Sequence, residues 1–198
     1  MAQAKRKKRF FDVDMPMIGK ETQLQAFEKS ELEGRIIKYD LTRMLRGKGT
    51  LMSLKVSVKN EKAEAEPIEI KILPFFFKRV VRKGTNYIED SFEAPCKDAI
   101  LRIKPLLVSR RKISRAVKKA LREKAREEVL NAVKTMTKNK LFEDILQGQF
   151  QKSLSYTLKK VYPLSSCEIR IIKVVKDAEK PAAKKETKVT KKKVDKKE

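Results

Sequence analysis

Groups able to do covalent or acid–base chemistry are scarce in this 198-residue chain, whereas guanidinium and ammonium groups crowd into a few short tracts. There is no His, the side chain that most often serves as general acid or base. Cys96 and Cys167 are far apart and have no close cysteine neighbour, and without His no mixed Cys/His metal site can be built. Two reduced, buried thiols are the expectation. The carboxylate pairs Glu89-Asp90 and Glu143-Asp144 fall in ordinary strand and helix contexts, where salt bridges account for them. Ser165-Ser166 follows Tyr162-Pro163 and lacks an adjacent base. No enzyme, no cofactor and no metal is expected.

The cations are another matter. The densest tract is Arg110-Arg111-Lys112, Arg115, Lys118-Lys119 and Arg122. On one helix, Arg111, Arg115, Lys118, Lys119 and Arg122 would share a flank beside an apolar stripe. Like charges at i,i+4 destabilise an isolated helix by about 0.2–0.5 kcal/mol per pair, a term that a polyanion reverses. A solvated helix face interleaves Glu with Lys, as the segment 123–128 does, so phosphate contact is assigned to the turns before it. A second group is Arg43, Arg46 and Lys48, where Gly47 and Gly49 either let the backbone approach a ribose-phosphate chain or simply form a loop. The glycine spacing and the Gly-Lys-Ser/Thr of a nucleotide-hydrolase phosphate loop are absent. A third group is Lys78, Arg79, Arg82 and Lys83, and a fourth is the N-terminal run Lys5-Arg6-Lys7-Lys8-Arg9. Arg ranks above Lys in these tracts, because its planar fork suits phosphates and stacks on bases. The Phe75-Phe76-Phe77 triplet is read first as packing, since the aromatic pattern of sheet-surface RNA-binding modules is missing.

Fifty Lys and Arg against 26 Asp and Glu give a net charge of +24, and a compact body so charged repels itself. Nucleic acid offsets that cost, because each neutralised phosphate releases condensed counterions. A membrane surface would call for a basic amphipathic helix or a lipidation signal, and no apolar run approaches the ~20 residues needed to span a bilayer. With no apolar signal stretch either, an intracellular protein is expected.

Hydrophobic residues at 40% of the chain are enough for a core, so the elements that must hold these tracts can be sought. From about residue 31 to 108 the apolar period is two: Leu54, Val56 and Val58, then Ile68, Ile70 and Ile72, alternate with polar residues as in half-buried antiparallel strands. The connection from Asn60 to Pro67 is expected to project into solvent. A short helix ending at Gly84 suits Phe75 to Lys83. A strand pair follows over 87–93 and 99–108, with Pro105 suggesting an edge or strand end. At Ser109 the period becomes 3.6, with Ile113, Val117, Ala120, Leu121, Val129 and Val133 on one side of a helix reaching Thr135. Two further helices, after Asn139 and over 150–161, precede a last strand over 167–175. The fold class is therefore α+β: a mostly antiparallel β-sheet domain over residues 10–176, packed with a C-terminal group of about three helices and a final returning strand. Residues 1–9 read as a basic arm, and the Lys-rich segment 177–198 as a disordered tail.

Several of these stretches, taken in order, resemble the archaeal and eukaryotic small-subunit ribosomal protein family eS-one, formerly S-three-a-e. They are Phe10-Phe11-Asp12-Val13 with Pro16, Gly34-Arg35 leading into Asp40-Leu41-Thr42-Arg43, and the run from Val80 to Phe92. Leu101-Arg102-Ile103-Lys104-Pro105 leads into Arg110-Arg111-Lys112-Ile113-Ser114-Arg115, and Val161-Tyr162-Pro163-Leu164 precedes the run from Ile169 to Val174. The resemblance covers roughly residues 8–176. Phe10 stands where many members carry Trp, and the long eukaryotic extensions are missing, so the chain looks archaeal in type. The resemblance implies a structural constituent of the small ribosomal subunit in the cytoplasm. It would bind ribosomal RNA on the platform near the messenger-RNA exit, beside neighbouring platform proteins. Contact with messenger RNA there is left open.

Two other classes remain. A free RNA- or DNA-binding factor is the first, although the stretch 109–126 holds no Asn or Gln with which a major-groove helix would read bases. A protein-only interaction module docking through the Phe triplet is the second, and salt-dependent affinity for nucleic acid separates it from the others.

Overall fold

A computed structural model describes residues 7–59 and 62–177, and among these nine strands join in one mixed, mostly antiparallel sheet with four α-helices. The expected α+β class is what is seen. Lys5 and Arg6, and all but the first residue of the segment 177–198 expected to be disordered, lie outside the described residues; Asp177 itself ends a strand.

Strands begin earlier than the sequence suggested. β1 (Arg9–Met15) and β2 (Lys20–Ala26) form a hairpin, so Arg9, the last residue of the stretch read as a basic arm, opens a strand. Val13 and Met15 point into the core while Asp12 and Asp14 face out. The pair escapes detection because β2, Lys-Glu-Thr-Gln-Leu-Gln-Ala, brings only Leu24 and Ala26 as apolar partners. After a single 3-10 turn, β3 (Ile36–Asp40), β4 (Thr50–Lys59) and β5 (Lys62–Ile72) form a meander.

The β4–β5 ladder runs from Thr50↔Ile72 to Lys59↔Lys62, so residues 62–67 are strand and not a projecting connection. Small inward residues, Ala63 and Ala65, disguise them. A bulge leaves Ile68 between the pairs Ser53↔Glu69 and Leu54↔Pro67, which switches the inward set from Ala63 and Ala65 to Ile70 and Ile72. Pro67 tolerates that irregular position because it has no N–H to pair.

β6 (Tyr87–Glu89) and β7 (Phe92–Pro95) lie end to end along one side of β8 (Ala99–Ser109), and β9 (Leu164–Asp177) covers the other side. Pro105 is thus in a central strand, not at an edge or end. It sits opposite the break between β6 and β7. On its other side the pairs Lys104↔Ile171 and Pro105↔Ile169 skip Arg170, so no ladder bond is lost to the ring. β9 is longer than expected and takes in Ser165 and Ser166.

α1 (Pro74–Val80) ends four residues before Gly84, which instead makes a turn at φ 84°. The long helix α2 runs Arg115–Thr135, α3 is Lys138–Gln147 and α4 is Gln149–Leu158, with Gly148 at φ 77° turning the chain between the last two. Leu121, Ala125, Val129 and Val133 of α2, Phe142 of α3 and Leu154 and Leu158 of α4 join Leu101, Ile103 and Ile172 of the sheet in one core. Such an i,i+4 series is the stripe a buried helix face requires.

Cys96 is half-buried, and its Sγ accepts the Ala99 N–H at 3.2 Å. Cys167 is buried, and burial first, then the Glu168 charge, push its thiol up to about 12 against a partial pull downward from Lys48. Below pH 9 this thiol is neutral folded or unfolded. Between 9 and about 12 the unfolded thiol ionises first, so its contribution to stability falls as pH rises. Alkylation of the folded protein near pH 8 is therefore expected to modify Cys96 and spare Cys167 until denaturant is added, read by peptide mass spectrometry. Equal labelling would show that Cys167 is not held in the core.

Candidate nucleic-acid interface

Basic tracts that are distant in sequence are fastened together by a chain of hydrogen bonds. The first link joins the β3–β4 loop to α1: Leu73 N–H donates to the Gly49 carbonyl at 2.8 Å, and Arg79 Nη2 donates to the Gly47 carbonyl at 3.0 Å. The Arg79 guanidinium also lies 5.2 Å from the Phe76 ring centre. Gly49 is glycine because the Phe75 ring occupies its side-chain position: a Cβ there would meet Phe75 Cζ at 2.2 Å. Gly47 serves a left-handed turn, following Arg46 at φ 53°. The loop glycines thus shape the protein itself. At the loop's start Asp40 accepts from the Thr42 hydroxyl and from Thr42 N–H, and these bonds hold its carboxyl below the usual range.

A second link seats α1 on the sheet. Phe77 meets Tyr87 edge-on at 5.6 Å, and the Arg170 guanidinium lies 5.5 Å from the Phe77 ring centre. Arg170, the residue left over in the β9 bulge, donates through Nη1 to both carboxylate oxygens of Glu89, at 2.7 and 2.9 Å. The Phe triplet therefore packs, although none of the three reaches the buried core and Phe75 is 53% exposed.

A third link brings in the densest tract. Asn86, just beyond the Arg82–Gly84 turn, is bonded twice to Ser109: Ser109 N–H donates to the Asn86 carbonyl at 2.9 Å, and Asn86 N–H donates to Ser109 Oγ at 3.0 Å. Asn86 Nδ2 donates to the Ile113 carbonyl at 3.2 Å, and Ser109 Oγ donates to the Arg111 carbonyl at 2.6 Å. Ser109 is committed to β8, so the helix cannot start there as the 3.6 period suggested; it starts at Arg115 behind Ser114, whose Oγ accepts Val117 N–H at 3.4 Å. Arg110, Arg111 and Lys112 accordingly sit in a pinned loop, not on the flank of α2. The stretch 115–120 buries no side chain fully, so the first turns of α2 stand clear of the core that Leu121 enters.

The result is one basic surface. Arg43 and Arg46 lead through Lys78 and Arg79 to Arg82 and Lys83, then to Arg110, Arg111, Lys112 and Arg115, all exposed. Among the described residues none of these ten forms a salt bridge, although the Arg43 charge adds to the downward pull on the Asp40 carboxyl. Seven expected contacts, in three groups, are placed differently. Lys48 is half-buried and ion-paired with Glu168 at 2.5 Å. Lys119 lies 3.8 Å from Glu123 on a solvated face, and Lys118 is half-buried, with Arg122 exposed one turn on. Arg9 opens the β1–β2 hairpin, at the opposite end of the strand order from β8 and β6, and Lys7 and Lys8 lead into it; Lys8 lies 5.6 Å from the Phe27 ring centre.

A family model described as the Ribosomal S3Ae family matches residues 2–178. The chain belongs to that family. It is similar to the small ribosomal subunit protein eS1 of Pyrobaculum arsenaticum, at 29% identity over 102 residues, 51% of this chain and 46% of that one. Matches to the eS1 proteins of Nanoarchaeum equitans (26% identity, 80% of this chain, 84% of that one) and Halorubrum lacusprofundi (25%, 83% and 79%) are longer. The chain spans about half the length of the Pyrobaculum relatives it matches. Family membership agrees with the resemblance drawn from the ordered motifs, including the run from Val80 to Phe92 that carries the second link and Asn86.

Sequence reading missed a further set of cations. Lys152 on α4 and Lys159 at its C-terminal cap, with Tyr156 between them, line a groove whose other wall is the start of β9. Their i, i+4, i+7 spacing was the available signal.

Proposed function

We propose that this chain is a structural, non-catalytic constituent of the small ribosomal subunit that takes part in translation by binding ribosomal RNA. The contacts are to phosphates and to helix shape, made by the surface running from Arg43 to Arg115. The observation that carries the reading is that hydrogen bonds from Asn86, Ser109 and Arg79 hold three separate basic tracts in one fixed arrangement. Phosphate contacts that are already positioned lose less side-chain entropy on binding. The names of the relatives supply the ribosome as the site of action, and with it the cytoplasm. The motifs shared with the family favour the platform near the messenger-RNA exit, with other platform proteins as neighbours. Among the described residues no helix is long and apolar enough to cross a membrane.

The test is sedimentation of a cell extract with mass-spectrometric identification across the gradient. The chain is expected to travel with small subunits and to stay with them through a high-salt wash. Its recovery as free protein at the top of a low-salt gradient would defeat the proposal.

A further inference from the structure

We propose that the groove between α4 and the first residues of β9 holds an unpaired nucleotide of single-stranded RNA, its base on the Tyr156 ring and its phosphates against Lys152 and Lys159. This rests on the RNA-binding reading above and adds a second site of different chemistry, since the surface from Arg43 to Arg115 offers mainly charge. The groove has a volume of about 440 Å³. One wall is α4 with its C-terminal cap, carrying Lys152, Tyr156 and Lys159; the other carries Ser165 and Ser166, whose hydroxyls suit ribose or phosphate oxygens.

Three features single the groove out. First, Tyr156 is 74% exposed, more than the other large apolar residues left open, so packing does not account for it. An isolated exposed aromatic is ordinary. This one is flanked by an ammonium one turn away on either side along the helix. Second, the charge is free to act: Glu168, the acidic residue on the walls, is taken by Lys48, which leaves Lys152 and Lys159 exposed and, among the described residues, without an ion-pair partner. Third, Gln151 borders the groove while only 6% exposed; its Nε2 donates to the Ile145 carbonyl at 3.0 Å, and among the described residues its Oε1 has no hydrogen-bond partner.

An aromatic ring between cations is the arrangement used to hold single strands, because every base has a face to stack and the backbone brings the charge. A duplex keeps its base faces covered and gains nothing from Tyr156. The cationic rim repels the basic segments of proteins like this one, and an acidic peptide is the competing occupant.

The experiment measures binding of the full chain to two fluorescent probes, an eight-nucleotide oligouridylate and a blunt RNA duplex. Tyr156→Ala should weaken octamer binding by about 5- to 150-fold, the loss of one stacked base. Tyr156→Phe keeps the ring and should bind as the original chain does, and neither substitution should alter duplex binding. Replacing Lys152 and Lys159 by Gln should lower the octamer's log–log salt slope by about 1.4, at ~0.7 per single-strand phosphate. An octamer that does not bind, or that binds Tyr156→Ala unchanged while the duplex still binds, overturns the groove proposal and leaves the main surface standing. Loss of both probes from the original chain would overturn both readings.

Discussion

Replacing Arg82, Arg110, Arg111 and Lys112 together by Gln leaves the fold intact and flattens the salt dependence of RNA binding by about 3 in log–log slope. The figure follows from about 0.7–0.9 per phosphate contacted, applied to the four cations of the Asn86–Ser109 junction. Between 50 and 200 mM salt the original chain should then lose affinity roughly 60-fold more steeply than the variant. The fold survives because these side chains are exposed and the junction is made by backbone groups, Asn86 and the Ser109 hydroxyl, none of which is altered. Surface changes of this kind stay within about 0.5 kcal/mol, and removal of like charges tends to raise the thermal midpoint. The matched control replaces Lys118, Lys119 and Arg122, where Glu123 already faces Lys119 and the expected flattening is smaller. Titration of a labelled RNA hairpin at several salt concentrations gives both slopes. Equal slopes for the four-residue variant and the original chain would remove the junction from the RNA surface.

That comparison turns on a detail the sequence concealed. The density of Arg and Lys after Ser109 was legible, and so was the helix containing Leu121, Val129 and Val133. The position of the tract within the helix was not, because a period in apolar residues says nothing about where a neighbouring strand ends. Ser109 has a strand partner, Leu164, more than fifty residues on, and that pairing decides the helix start. The same kind of non-local choice hid Pro105, which a break in one neighbouring strand and a bulge in the other permit inside a central strand. Strands rich in Ile and Val, such as 68–72, declared themselves. Those built from Ala, Thr and Gln, such as β2 and the first half of β5, are strands because of what pairs with them, and β-propensity is largely a record of such pairing. For the candidate site, composition revealed which residues carry charge, whereas their union into one surface depends on Asn86, an uncharged residue that no charge count would select.

The largest loss of stability is expected from Phe142→Ala. Phe142 is fully buried on α3 and heads the largest buried side chains of the core, with no polar atom to compensate for its removal. Truncating a buried Phe costs about 3–5 kcal/mol from lost transfer energy and the cavity left behind. Against a native stability of roughly 5–15 kcal/mol that is a large share. For a domain of this size the thermal midpoint should fall by about 10 °C, at ~2–4 °C per kcal/mol. Phe75→Ala is the informative contrast, since that ring is half open and lies over Gly49; its cost should be about 1 kcal/mol or less. Circular dichroism melts of both variants without RNA give the comparison, and a shift under 2 °C for Phe142→Ala would show that the helical layer is not held by this ring. The expected result, a large shift for Phe142→Ala and a small one for Phe75→Ala, separates two tasks of the fold. Phe142 is α3's largest contribution to the core that α4 and the sheet share, and so supports the groove wall that carries Tyr156. Phe75 braces a loop whose arginines face solvent, so its loss should register in the affinity for RNA before it registers in the melt.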